Sequence, residues 1–179
     1  MSLRITYFVH STTTDNKNHL ATGWLPGELS EAGLEQATRL GAQVADNKFD
    51  AVFCSDLKRA VDSAQLGFGD KYKIIQDRRL RECNYGDMNG KPDTFKDNLE
   101  AFIYQSFPNG ESYKDAEVRI KSFLEFLKQN YDGKHIAIVA HQAPQLALDV
   151  LIKGKTWRQA IEEDWRKSKA WQPGWEYEV

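Results

Sequence analysis

The chain has 179 residues, the size of one ordinary domain, and its 41% hydrophobic and 28% charged residues exclude intrinsic disorder. With 24 basic and 26 acidic residues the formal net charge is −2, so there is no global positive field for a nucleic acid and none is predicted as a partner. No apolar run approaches the roughly 18 residues of a membrane helix, and Met1-Ser2-Leu3-Arg4 lacks the regions of a signal peptide, so a cytoplasmic protein with no membrane partner is expected.

In chain order, residues 3–9 are rich in β-branched and aromatic side chains and predict a strand ending at His10. Residues 11–18 are polar and cannot build core, and Gly23 and Pro26-Gly27 signal turns. Ala32, Leu34, Ala37, Leu40 and Val44 then repeat at helical spacing behind a Ser30 cap. A short buried strand is expected over residues 49–54, followed by a helix that Ser55 caps, through Leu57, Ala60, Val61 and Ala64. Residues 73–75 predict a short strand, and Arg78 to Glu82 a loop. Gly86, Gly90, Pro92, Pro108 and Gly110 break up residues 84–111, read as a small lid or insertion around a helix near residues 95–104. A clearer helix starts at Ser112 and runs through Val118, Ile120, Phe123, Leu124 and Leu127. The unbroken apolar run 136–140 predicts a strand covered on both faces and ending at His141, and Pro144 suits the first turn of the next helix. Thr156 and Gln159 form a capping-box pattern, and residues 171–179 alternate as a closing edge strand.

This alternation predicts a single α/β domain over residues 1–179, a three-layer sandwich with a mostly parallel central sheet flanked by helices. Such sheets bind ligands beyond the carboxyl ends of their strands. His10, the Ser55 to Arg59 stretch, Glu82 and His141 all fall there. Two imidazoles, a guanidinium and a carboxyl group suit phosphoryl transfer: a nucleophile, an anion clamp, a donor to developing charge and an acid for the leaving alcohol.

Six segments sharpen this reading: Val9-His10-Ser11-Thr12-Thr13 with Asn16; Gly23 with Leu29-Ser30-Glu31-Ala32-Gly33-Leu34-Glu35-Gln36-Ala37; Ser55-Asp56-Leu57-Lys58-Arg59-Ala60; Leu80-Arg81-Glu82 with Gly86 and Gly90; Pro108-Asn109-Gly110-Glu111-Ser112; and Val139-Ala140-His141-Gln142. In this order, over almost the full length, they resemble the motifs of the histidine phosphatase superfamily, the phosphoglycerate mutase-like group. The resemblance implies a phosphomonoesterase that hydrolyses a small phosphorylated metabolite through a phosphohistidine intermediate, without cofactor or metal. It makes His10 the nucleophile, Arg59 and His141 the phosphate clamp and Glu82 the general acid, with Ser11, Thr13, Asn16, Gly23 and Gln142 at the phosphate end. The chain departs from the pattern where the family's first arginine is Val9, where Ser11 replaces a glycine, and where Gln142 replaces the glycine after the second histidine. Hydroxyls of residues 11–13, or Arg81 or Lys17, are the candidates to compensate. The alternatives are a mutase-type phosphotransferase, disfavoured by the short 86–110 span, and a phosphate- or phosphoprotein-binding module.

Elsewhere the simpler readings lead. His19 and His135 are expected in solvent, and Arg78, Arg79 and Arg81 in a solvated basic loop. Cys54 and Cys83 are expected as small buried apolar residues. Trp157, Trp165, Trp171 and Trp175 either pack the C-terminal elements, form an oligomer surface or wall a pocket. Nothing in the sequence sets an oligomeric state.

Overall fold

The computed structural model describes residues 2–169 and 174–179. Its strands are β1 (Arg4–Val9), β2 (Leu20–Ala21), β3 (Ala51–Cys54), β4 (Ile74–Gln76), β5 (Lys91–Pro92), β6 (His135–Ala140) and β7 (Trp175–Glu178). Its α-helices are α1 (Thr14–Lys17), α2 (Glu31–Gln43), α3 (Lys58–Phe68), α4 (Tyr113–Asn130), α5 (Gln142–Lys153), α6 (Trp157–Glu162) and α7 (Trp165–Ser168). Among them no helix is long and apolar enough to cross a membrane.

The main sheet has the order β4-β3-β6-β1-β7, parallel except for β7, which runs antiparallel along β1 at the edge. Side chains alternate across it, as the period of two requires. Ile5, Tyr7, Phe53, Ile136 and Ile138 pack against α4, α5 and α6, whereas Phe8, Val52, Cys54, Ala137 and Val139 face α2 and α3. Helices therefore cover both faces, which explains why β6 reads as an unbroken apolar run. The chain leaves β1 toward β3 and leaves β6 toward β7, in opposite directions along the sheet. That reversal opens a crevice beyond the carboxyl ends of β1 and β6, where His10 and His141 stand.

The helix signals at Ser30, Ser112 and Thr156 correspond to side-chain caps in the structure. Ser55 does not cap. Helix α3 starts at Lys58 with Leu57 as N-cap, and the Ser55 hydroxyl accepts from the Leu57 N–H in a local turn. The helix expected near 95–104 is a 3-10 segment over Asp93–Phe102, broken at Asn98. Its register is set by an aromatic cluster rather than by helical periodicity, with Phe95 and Phe102 against Phe107, and Tyr85 against Phe95 and Phe107. The two-stranded β2–β5 ladder ties this segment to the loop after α1. The last strand runs from Trp175 to Glu178, and the expected start at Trp171 lies outside the described residues.

Candidate active site

His10 leaves β1 with its N–H on the Ala140 carbonyl, 2.9 Å away. Its Nδ1 lies 2.8 Å from the Ser11 carbonyl, so Nδ1 carries the proton and donates, and Nε2 keeps its lone pair. Burial, and then the Arg59 charge, push its pKa down to about 3, so the ring is neutral at pH 7. The loop that follows is pinned from two helices. The Ser30 N–H and hydroxyl both donate to the Thr12 carbonyl, and a side chain at Gly33 would put its Cβ 2.0 Å from that oxygen. On the other side the Ser63 hydroxyl accepts from the Ser11 N–H and donates to the Arg59 carbonyl.

The ring of His141 lies 5.0 Å from that of His10, centroid to centroid. It is fully buried, and neither ring nitrogen has a hydrogen-bond partner among the described residues. Burial, Arg59 and His10 hold its pKa well below the usual value, so the ring is neutral at pH 7 and offers one N–H. The buried Tyr7 hydroxyl fixes its main chain, donating to the His141 carbonyl at 2.7 Å and accepting from its N–H at 2.9 Å.

Arg59 is buried, with Nε donating to His10 Nε2 at 3.3 Å, Nη1 to the Leu25 carbonyl and Nη2 to the Gly23 carbonyl. Gly23 makes this cradle at a φ of +53°, a left-handed conformation that favours glycine, and a Cβ there would meet the Asn89 amide at 1.8 Å. Glu82 is buried at the N-terminus of α5. Oε1 accepts from the Cys83 and Ala143 N–H groups and Oε2 from that of Gln142. Its own carbonyl accepts from Trp24 Nε1 and from Arg119 Nη2, and Arg119 is paired with Glu111. The Pro-x-Gly-Glu-Ser turn thus reaches the site through Glu111 and Arg119.

A cavity of about 560 Å³ is lined by Val9, His10, Thr12, Asn16, Glu82, His141 and Gln142 on one side. Lys96, Leu99, Ile161, Asp164, Trp165, Arg166 and Lys167 are among the residues on the other. Ser11 lines an adjoining cavity of about 360 Å³ with Gln36, Arg39 and Trp165. Thr13 is buried and its hydroxyl is used in the capping box with Asn16. Gln142 Nε2 donates to Asp164, which is paired with Arg166.

Several sequence readings change here. Arg81 is held by both oxygens of Asp56 and stacks over Trp24, and Arg79 is paired with Asp77 over Phe123 and Phe126, so neither is a solvated cation. His135 is half-buried, bonded to Thr6 and against the Phe49 ring, whereas His19 is exposed as expected. Both cysteines are buried and free, and burial pushes the Cys54 thiol up to about 12. Sequence reasoning missed Tyr7, Ser63, Lys96 and the Asp164–Arg166 pair. A hydroxyl inside the apolar β1 run was the available signal for Tyr7; Lys96 and Arg166 had none.

A parallel α/β sheet here brings paired imidazoles and a carboxylate to its carboxyl edge, where such folds bind their ligands. The chain belongs to the histidine phosphatase superfamily (branch 1), whose family model matches residues 7–162. It is 34% identical to the fructose-2,6-bisphosphatase TIGAR of Xenopus tropicalis over 137 residues, 69% of this chain and 49% of that protein. It is 30% identical to phosphoglycerate mutase-like protein 4 of Arabidopsis thaliana over 145 residues, 74% of this chain and 63% of that one. The chain thus spans about half to two thirds of the length of these two relatives. Among solved structures, the α-ribazole phosphatase of Shigella flexneri superposes with a TM-score of 0.76 at 26% identity, covering 90% of this chain and 84% of that one.

Proposed function

We propose that the chain hydrolyses a small phosphate monoester through a phosphohistidine on His10, in a single domain whose 84–111 segment forms a lid. The observation that carries this is the polarity of the His10 ring. Nδ1 is committed to Ser11, so Nε2 keeps its lone pair, which accepts from Arg59 Nε at 3.3 Å. Beside it is a cavity lined by a second imidazole that has no hydrogen-bond partner among the described residues. In the first step Nε2 forms a bond to phosphorus, the ester P–O bond breaks, and the leaving oxygen takes a proton from Glu82. In the second step water attacks the phosphohistidine, Glu82 takes back a proton, and the P–N bond breaks. The neutral His141 donates its N–H to the phosphoryl oxygens, and the Arg59 contact to Nε2 passes to the phosphoryl group once that nitrogen is bonded. Relatives named for a sugar bisphosphate and a ribazole phosphate support a small phosphorylated metabolite as substrate.

Turnover of an aryl phosphate, with rapid quenching to trap acid-labile phosphoenzyme, tests the reading. Wild type is expected to form phosphoenzyme and His10→Ala to lose turnover by about a thousandfold or more. Wild-type turnover in His10→Ala overturns the mechanism. Vanadate binding with no turnover on a broad phosphoester panel supports the binding-module alternative instead.

A further inference from the structure

The cations around the cavity are unequally committed. Arg59 has three of its five N–H donors on Gly23, Leu25 and His10, Arg166 is paired with Asp164, and Lys167 is exposed. Lys96 differs from all of them. It stands on the 3-10 segment Asp93–Phe102, is partly buried, and lines the same cavity as His10, Glu82 and His141. Its Nζ has no hydrogen bond or ion pair among the described residues and lies 5.8 Å from the centroid of the Tyr85 ring. Partial burial lowers the pKa of this ammonium group, and the nearby Glu82 and Asp93 carboxylates oppose that shift without bonding to it. Of those two carboxylates, Glu82 is already bonded to three main-chain amides, and Asp93 lines the same cavity. Across the cavity, both nitrogens of His141 are also without partners.

A partly buried cation with no bonded anion and a buried imidazole with no hydrogen-bond partner among the described residues, lining one cavity, are matched by a single group: a phosphoryl dianion on His10. Val9 lines that space and contributes only methyl groups. We propose that Lys96 contacts the transferring phosphoryl group directly, supplying the positive charge that the Val9 position does not. The 84–111 segment then completes the phosphate site rather than only covering it, so that substrate selection and catalysis are carried by the same segment. This rests on the phosphatase reading above.

Lys96→Met keeps the side-chain stem and removes the charge, while Lys96→Ala removes both. Each is compared with wild type and His10→Ala for orthovanadate Kd and for kcat/KM on p-nitrophenyl phosphate, with folding followed by circular dichroism. Both Lys96 variants are expected to bind vanadate about tenfold or more weakly and to lose kcat/KM by at least as much. If Lys96→Met matches wild type within twofold on vanadate binding and turnover, the proposal is overturned while the phosphatase reading stands. A loss in Lys96→Ala that Lys96→Met restores assigns the residue to packing and also overturns it. If the wild type lacks turnover, the phosphatase reading falls, and the vanadate affinities still decide the role of Lys96.

Discussion

At the floor of the cavity the His10, Glu82 and Arg59 side chains are tied to main chain, and His141 is held through its own main chain. At the rim, by contrast, the side chains of Lys96, Trp165 and Arg166 have no main-chain hydrogen bond among the described residues. His10 is oriented by the Ser11 carbonyl, Glu82 by three amides, His141 through Tyr7, and Arg59 by two carbonyls. At the rim Arg166 leans on the Asp164 side chain, Trp165 stacks on Trp175, and Lys96 has no polar partner among the described residues. Main-chain ties move only if the sheet moves, so the floor holds its geometry whatever surrounds it. Side-chain ties give way to a ligand at small cost, which suits the rim to choosing substrates.

Glu82→Gln breaks the floor most. One carboxylate oxygen becomes an NH2 group and faces a backbone N–H, while the proton donor is lost. Turnover of an alkyl or sugar phosphate should fall by about a hundredfold or more, and that of an aryl phosphate, whose anion leaves unaided, by much less. Equal losses on both substrates would remove Glu82 from proton transfer. Stability should also drop by about 1–3 kcal/mol in a denaturant titration.

Tyr7→Phe removes two hydrogen bonds and touches no substrate. We expect kcat to fall about tenfold with KM changed by less than about threefold, and stability to drop by about 1–3 kcal/mol. An unchanged kcat would mean that β6 packing alone positions His141.

The third prediction concerns pH. Both histidine pKa values are depressed on folding, so the unfolded chain binds more protons below its own value of about 6.5. The stability they contribute is therefore complete above about pH 6.5 and is lost as pH falls toward the folded value of about 3 for His10. By pH 5 the His10 share is on the order of 2 kcal/mol. A Tm measured from pH 7 to pH 4.5 should decline, and His10→Gln should flatten the slope. A slope the same in both proteins would show that other groups set it.

The smallest effect belongs to the rim. Trp165→Ala should raise KM for substrates with bulky leaving groups about threefold to tenfold and leave kcat within about twofold. A kcat loss as large as that of Tyr7→Phe would erase the distinction between floor and rim.

Much of the floor was legible because its signals are local. A β-branched run ending at a histidine, a serine three residues before a glycine, and an apolar stretch closed by a second histidine each depend on a few neighbouring residues. They placed His10, Arg59, Glu82 and His141 at one edge of a parallel sheet. The misreadings came where a local signal had a non-local competitor. Ser55 has the chemistry of a cap, yet the start of α3 is set by Leu57 and by the Pro26 carbonyl that accepts from the Arg59 N–H. Residues 95–104 have helical spacing, yet the packing of Phe95, Phe102 and Phe107 winds them more tightly and breaks them at Asn98.

By itself the sequence determined the alternation of strands and helices and the motif residues at their carboxyl ends, because hydrophobic period and capping act within a few residues. Tertiary structure alone decided that Tyr7 would clasp His141, that Glu111 would hold the Glu82 loop through Arg119, and that Lys96 would line the cavity. Each of those contacts joins segments far apart in the chain. Its geometry is set by how the aromatic cluster and α4 pack, not by the residues on either side.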